Sequence, residues 1–171
     1  MNKIRKTPKK ATIAITLILV SIFLLACTGE NKAKTPDEQV WDMGLEIYEG
    51  LKNKDKEKIK SVFSENELMS HSRKIDNKID EVFDFIDGEI VTYKEVNGSC
   101  GGGKARDGEW VEESFVGYIY GIKTDTGREY TISYGGYLVD KDDTDNIGVS
   151  GFRITEKQPD SDESIFVGTV D

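Results

Sequence analysis

The sequence has few of the residues that build metal sites and nucleophile sites. Its 171 residues include one histidine and two cysteines. Because a His/Cys zinc site usually needs three or four of those ligands, we expect no such site. A Ser-His-Asp or Cys-His pairing would have to use His71, which no motif pairs with a nucleophile. We therefore expect no catalytic set, no metal and no cofactor.

Basic charge is scarce outside the first 26 residues. The whole chain has 23 Lys and Arg against 32 Asp and Glu, a net charge of −9. Residues 1–26 contain five of those basic residues and no acid, so the remainder has 18 against 32, a net charge of −14. Nucleic-acid binding depends largely on neutralising phosphates with Lys and Arg. We therefore expect no nucleic-acid partner.

The uncharged run at residues 11–26 is short for a membrane-spanning helix. It has 16 residues, where a span needs about 20. A basic stretch at 1–10 precedes it, and this order is typical of a signal peptide.

The end of this run, Leu24-Leu25-Ala26-Cys27, resembles the lipobox of bacterial lipoproteins. In that family the cysteine is diacylglycerol-modified and the chain is cut before it. The resemblance implies a signal peptide at 1–26, a lipid anchor on Cys27 and a location on the extracytoplasmic face of the cell membrane. Leu25 is less usual at its position than Ala or Ser. The alternative is an uncleaved anchor with a chance cysteine, which also places the domain outside the cytoplasmic membrane.

Three amphipathic segments predict three helices after a polar, flexible tether at 27–36. The first is expected at 37–52, capped by Asp37, and the second runs from a cap at Asn53 to about Phe63. The third is expected at 67–86, with Gly88 ending it. The second helix carries a row of lysines, which indicates either a patch facing anionic lipid or a solvated face. These are Lys52, Lys54, Lys56, Lys58 and Lys60.

From residue 89 onward, β-branched and aromatic residues with interspersed glycines predict an antiparallel sheet. We expect strands at 89–96, 110–123, 128–134, 137–140 and 147–156. The segment 97–103 is expected to be a mobile loop, and Gly135-Gly136 a bulge or bend. Glycines within the strands are expected to curve the sheet strongly. Residues 158–171 are expected to be an acidic tail, with an added edge strand as the alternative.

Helices followed by an antiparallel meander predict the α+β class, with the helices packed on one sheet face. This order of elements resembles the cone of the nuclear-transport-factor-2-like (cystatin-like) superfamily. Within it, the chain resembles a group of lipoproteins of unknown function from Gram-positive, clostridia-like bacteria. The resemblance covers 37–157 as one α+β cone domain and brings no catalytic residues. It is carried by LKNKDKEKIKSVFS (51–64), IDEVFDFIDG (79–88), KTDTGREY (123–130) and NIGVSGFRI (146–154).

Cone folds can enclose a pocket between helices and sheet, and enzymes of that superfamily place an Asp or His there beside tyrosines. His71 is a candidate base, or a surface residue. Six aromatic side chains either line such a pocket or fill the core. They are Phe83, Tyr93, Trp110, Tyr118, Tyr120 and Tyr134.

The turn at 140–146 and Cys100 each have two interpretations. The turn concentrates carboxylates, which indicates either weak adventitious cation binding or a built cation site, but it lacks the Asp-x-Asp-x-Asp-Gly frame of a calcium loop. Cys100 is the remaining thiol once Cys27 is acylated, so no intramolecular disulfide is expected. Among glycines, Cys100 is expected to be exposed, either as a redox-sensing residue or as a loop residue tolerated in a reducing habitat.

The favoured function is therefore a non-catalytic, membrane-anchored lipoprotein that binds an envelope protein or a small ligand. The alternative is a pocket enzyme of the isomerase or dehydratase type. An Asp, Glu or His pointing into an enclosed cavity beside a tyrosine would favour the enzyme, and a solid or purely apolar cone interior would argue against it.

Overall fold

The structure, a computed structural model, describes residues 33–157 and 162–169. The signal peptide, Cys27 and most of the tether that the sequence predicts lie outside the described residues. The described residues from Lys34 onward belong to one compact unit. None of the helices in the described part of the chain is long and apolar enough to cross a membrane.

The first two helices begin at caps other than those expected. Helix α1 is Pro36–Asn53, and Thr35 caps it: the Glu38 amide donates to the Thr35 hydroxyl at 3.2 Å. Asp37 was expected at that position, but Pro36 already occupies the first helical turn, where its missing N–H costs nothing. Helix α2 is Lys56–Lys60, and its cap is Asp55 rather than Asn53, which ends α1.

Helix α3 is Glu65–Phe85 and confirms the third amphipathic segment. Ser64 caps it by accepting from the Glu67 amide, so the helix starts two residues earlier than expected. Its buried stripe is Ile75, Ile79 and Val82.

Six antiparallel strands form one open sheet, which confirms the α+β class. They are β1 (Ile90–Thr92), β2 (Glu95–Arg106), β3 (Glu109–Thr124), β4 (Glu129–Asp140), β5 (Gly148–Glu156) and β6 (Glu163–Gly168). β1 and β2 both pair with β3, and β4, β5 and β6 follow in order. Register shifts interrupt four of these pairings, including one at Gly135/Gly136. Such bulges bend the strands.

Three expectations for the sheet are wrong. Residues 97–103 are not a mobile loop but the middle of β2, paired with β3 from Asn97↔Tyr118 to Gly103↔Glu113. The predicted first strand is broken between Thr92 and Glu95, whereas the predicted third and fourth strands are one strand, β4. Glu163–Gly168 is an edge strand on β5, which confirms the alternative rather than the favoured tail. In each case a partner strand holds the segment in place, so the composition of the segment itself does not reveal it.

The helices and the sheet enclose one hydrophobic core. Helix α1 contacts β2 and β3, and α3 contacts β5 and β6. The segment between α2 and α3 is hydrogen-bonded to the start of β5: the Ser64 amide donates to the Val149 carbonyl at 3.0 Å, and the Val149 amide to the Val62 carbonyl at 2.8 Å. The fully buried side chains include Val40, Ile47, Ile59, Ile75, Ile79, Val82, Ile119, Ile122, Tyr130, Ile132, Phe152 and Ile154.

Candidate functional site

A cleft of about 280 Å³ opens where α1 and α3 end beside β1. We call it the helix-end cleft. It is lined by Leu51, Lys52, Asn53, Lys54, Phe83, Ile86, Gly88, Glu89 and Ile90.

One wall of the helix-end cleft is fixed by the way α1 ends. Lys54 leaves the helix in the left-handed conformation, with φ 53°, and its amide donates to the Gly50 and Leu51 carbonyls. The next amide, that of Asp55, also donates to Gly50, at 2.8 Å. Helices commonly end in a residue of this conformation, although a non-glycine residue there is uncommon.

The opposite wall is fixed by the turn after α3, which is hydrogen-bonded to the β3–β4 hairpin. The Glu89 amide donates to Asp125 Oδ1 at 2.8 Å, and the Thr126 hydroxyl donates to the Asp87 carbonyl at 2.8 Å. The Asp87 amide donates to the buried Tyr130 hydroxyl at 2.9 Å. These bonds hold Gly88 in place at the mouth of the cleft and Ile90 in place on its floor.

The helix-end cleft has an apolar floor and a mainly basic rim. Leu51 and Ile90 are buried, and Phe83 and Ile86 are half-buried. Lys52, Lys54 and Glu89 are exposed at the rim. This arrangement suits a ligand with an apolar part and a negative charge.

The lysine row divides into two groups. Lys56 pairs with Asp80 at 2.7 Å, Lys58 with Glu46 at 2.7 Å, and Lys60 with Asp76 at 3.1 Å, so acids of the domain balance these charges. Within residues 33–157 and 162–169, Lys52 and Lys54 form no ion pair, although Lys52 Nζ lies 5.7 Å from the Tyr48 ring centroid. The sequence predicted one row of five lysines on the second helix, whereas Lys54 lies between α1 and α2. The break in the apolar periodicity at Asn53 is the sequence signal that could have indicated the end of α1 there.

The structure does not bring the six candidate aromatic residues together. Phe83 lines the helix-end cleft. Tyr118 and Tyr120 stack on each other at 5.5 Å on the sheet face turned away from the helices, because Gly117 and Ile119 occupy the inward positions of β3. Of the other three residues, Tyr93 packs edge-on against Tyr48, Trp110 is half exposed beside the β2–β3 turn, and Tyr134 is buried.

One acid, Glu89, lines the helix-end cleft, but no described tyrosine lies there. Glu95 and Glu129 line an open depression beside Tyr118 and Tyr120 on the outer sheet face, not the enclosed cavity that an isomerase or dehydratase would need.

The buried carboxylate of Glu156 pairs with Arg128 at 3.1 Å. His71 is on α3, where its Nδ1 lies 3.5 Å from Glu67 Oε2, and the Thr169 hydroxyl donates to the same glutamate. Neither Glu156 nor His71 lines the cleft.

Side-chain oxygens of the acidic turn at 140–146 accept hydrogen bonds from within the domain. Asp140 accepts from the amides of Asp142 and Asp143 at 3.1 and 2.9 Å and from Asn146 Nδ2 at 3.0 Å. Asn66 of α3 donates to Asp143 and Asn146, which joins the turn to the helix. Among the described residues, no cluster of three His, Cys, Asp or Glu side chains could hold a metal ion.

These hydrogen bonds predict an acid-dependent loss of stability. Donation from Asn146 and from the Asp143 amide lowers the pKa of Asp140. A lowered pKa stabilises the fold above the unfolded-state value of about 3.9, and this contribution disappears as pH falls through the folded-state value. Asp140→Asn should therefore lower the free energy of unfolding at pH 7 and have a smaller effect near pH 2, measured by urea unfolding. Asp142→Asn is the control, and an equal effect of Asp140→Asn at both pH values would contradict the assignment.

Cys100 is half-buried on β2, not exposed as expected. Burial, followed by the charges of Glu113 and Asp37, raises the pKa of its thiol. Because the thiolate is the reactive form, this environment disfavours redox sensing.

Comparison with known proteins places the chain in a family without assigning it a function. A family model described as a domain of unknown function (DUF5104) matches residues 46–157, more than half of the chain. The match runs from α1 to the strand β5 and includes every residue of the helix-end cleft. No curated protein matches the sequence.

Proposed function

Because the chain belongs to the DUF5104 family, whose description names no function, we propose a role from its own residues. The protein is a lipoprotein anchored through Cys27 to the extracytoplasmic face of the cell membrane, and its domain is a non-catalytic binding module. The helix-end cleft takes a small ligand with an apolar body and an anionic group. The observation that carries this proposal is an apolar floor beneath two lysines that lack a carboxylate partner in the described structure.

Two features support the anchor and the fold assignment. The basic stretch, the 16-residue uncharged run and Leu24-Leu25-Ala26-Cys27 occur in the order that lipoprotein processing requires. Three helices on one face of an open antiparallel sheet are in keeping with a nuclear-transport-factor-2-like cone, in which a ligand pocket lies between helices and sheet.

The size and chemistry of the helix-end cleft define the ligand class. Its volume is near the low end of the roughly 300–1,000 Å³ typical of ligand sites, so the ligand is small. Each methylene of the ligand that is buried against Leu51, Phe83 or Ile90 contributes about 0.8 kcal/mol to the free energy of binding. Lys52 and Lys54 then favour a carboxylate, sulfonate or phosphate over a cation.

Octanoate is a suitable probe, because it combines a short apolar chain with a carboxylate. The full chain in lipid nanodiscs should bind radiolabelled octanoate in equilibrium dialysis, with empty nanodiscs as the blank. Octanol should compete weakly and octylamine should not compete. Lys52→Ala/Lys54→Ala should weaken binding about ten-fold, which corresponds to about 1.4 kcal/mol.

The matched control removes two lysines elsewhere, with Lys123→Ala/Lys141→Ala. Unchanged binding in this control shows that the effect is local to the cleft. Competition by octylamine equal to that by unlabelled octanoate, or equal losses in both double variants, would overturn the proposed ligand class.

Lys54→Gly separates stability from binding. Glycine adopts the left-handed conformation without a Cβ penalty, so this variant should raise the free energy of unfolding by about 0.5–1 kcal/mol. It should nevertheless weaken octanoate binding, because one rim charge is lost. Urea unfolding followed by tryptophan fluorescence measures the first effect, and dialysis measures the second.

Lys52→Gly is the control with the opposite sign. Lys52 is in the last turn of α1, where glycine costs up to about 1 kcal/mol relative to a good helix former. A destabilised Lys54→Gly variant would show that Lys54 itself holds the end of α1.

A further inference from the structure

Strand β2 has a long free edge. One edge pairs with β3 over Glu95–Arg106, and no described strand pairs with the other edge. At 12 residues, β2 is about twice the mean strand length. Open edges of this kind present unpaired N–H and C=O groups to other chains, and proteins usually block them with bulky charged side chains or proline.

The middle of β2 has no such block, and its two ends carry opposite charges. The central residues are small, from Gly98 to Gly103. Glu95 lies at the first end, and Lys104 and Arg106 lie at the other, all three exposed. Lys104 also pairs with Glu112 at 2.7 Å across the β2–β3 ladder.

This charge order makes the edge complementary to itself in the antiparallel direction. A two-fold axis between Cys100 and Gly101 would place Glu95 opposite Arg106 in each of two copies. It would also place Asn97 opposite Lys104. The β2–β3 register shifts between Cys100 and Gly102, so Gly101 is an extra residue that reverses the alternation of faces. Residues placed opposite each other therefore lie on the same sheet face, as antiparallel pairing requires.

We propose that the free edge of β2 pairs with β2 of a second copy of this chain, antiparallel, about a two-fold axis between Cys100 and Gly101. The two sheets become one continuous sheet across the axis. This inference rests on β2 alone and does not depend on the helix-end cleft or on the lipid anchor.

The same axis is compatible with two copies anchored in one membrane, if the lipid anchor is present. An axis perpendicular to the sheet leaves both α1 helices on the same face. Helix α1 lies over β2 near the axis, since a Cβ at Gly98 would meet Val40 Cγ1 at 2.5 Å. Pro36 is about one helical turn from Val40, so both tethers start close to the axis. Two anchors in one membrane raise the effective concentration of the second edge.

Disulfide trapping tests the pairing and its register. The full chain carries Cys100→Ser and keeps Cys27, whose proposed acylation leaves it no free thiol. One copy then receives Asn97→Cys and a differently tagged copy receives Lys104→Cys. Opposed residues have Cα atoms about 4.5–5.5 Å apart, within disulfide range, whereas two copies of Asn97→Cys would be on the order of 20 Å apart. After oxidation with diamide in membranes, the co-expressed pair should give about ten-fold more cross-linked dimer than either variant alone.

A charge exchange tests the same contact without relying on yield alone. Glu95→Arg, or Arg106→Glu, places like charges opposite each other twice per dimer and should lower the trapped fraction about five-fold. The double variant Glu95→Arg/Arg106→Glu restores opposite charges and should recover the dimer.

Asp84→Cys is the control: this residue is exposed on α3, so cross-linking through it measures the background from random collision. Trapping between the Asn97→Cys copy and the Lys104→Cys copy that is no greater than with Asp84→Cys would overturn the proposal, as would a double charge variant no better than either single one. An edge that another protein occupies would give the first of these results. Octanoate binding to the helix-end cleft would remain in either case, so failure here is distinguishable from failure of the proposed function.

Discussion

Gly117→Ala should lower the free energy of unfolding by about 2–3 kcal/mol, the upper range for forcing an extra methyl group into a packed core. Gly117 is on the inward face of β3, and a Cβ there would lie 2.1 Å from Cζ of Tyr134. No real side chain tolerates that distance, so either the tyrosine ring or the strand has to move.

The ring of Tyr134 has little freedom to move. Its hydroxyl donates to the Val40 carbonyl of α1 at 2.8 Å, and its ring packs edge-on against Phe115 at 6.3 Å. The side chain is 3% exposed, and burial raises the pKa of its hydroxyl well above the ordinary value. A Cβ at Gly44 would meet the same hydroxyl at 2.3 Å, so two glycines on opposite layers make room for one tyrosine.

Chemical unfolding of the full chain, followed by tryptophan fluorescence, measures the effect of Gly117→Ala. Val116→Ala is the matched control, because Val116 is the next residue on β3 and is 48% exposed on the other face; it should change stability by less than about 1 kcal/mol. In a double-mutant cycle, Tyr134→Leu should remove most of the cost of Gly117→Ala. Additive losses would show that the tyrosine ring is not the obstacle.

Cys27→Ala should abolish lipid attachment entirely, because alanine has no thiol for the diacylglyceryl group. The proposed anchor therefore predicts loss of all metabolic labelling by radioactive fatty acid. Retention of the leader is the second expected result, because in lipoproteins cleavage follows lipidation; the band should run more slowly on a gel. Because the proposed acylation starts at this one thiol, the effect on labelling is all-or-none.

Cys100→Ala is the control for that experiment, since it removes the other cysteine and leaves the lipobox intact. It should label as the natural chain does. Labelled lipid that stays on Cys27→Ala would show that the lipobox assignment is wrong. Loss of label in Cys100→Ala would point to acylation within the domain instead.

The helices were predictable from the sequence because their information is local. Ile75, Ile79 and Val82 recur at helical spacing, and the stripe that they predict is the buried stripe of α3. Caps were less predictable, since Thr35 and Asp37, or Asn53 and Asp55, are equally good candidates by residue type. The geometry of Pro36 and the left-handed Lys54 decide between them.

The sheet was less predictable because each strand depends on the partner strand beside it. The glycine-rich residues 98–103 carry no hydrophobic pattern, and only the neighbouring β3 holds them in a strand. Whether Tyr118 and Tyr120 point inward or outward depends on which face of β3 the helices cover. The alternation of side chains along the strand does not show which of its two faces that is. The helix-end cleft could not be predicted for the same reason, since Leu51, Phe83 and Ile90 come from three separate elements.

The hydrogen bonds between the α2–α3 segment and β5 also constrain when the domain can fold. Val62 and Ser64 are bonded to Val149, more than 80 residues later in the chain. Helix α3 packs on β5 and β6, the last two strands, so its apolar stripe stays uncovered until nearly all of the chain is present. Closing so long a loop is slow compared with helix formation. A chain that crosses a membrane from its N-terminus therefore delivers its helices first but completes its fold only after β5 and β6 have emerged.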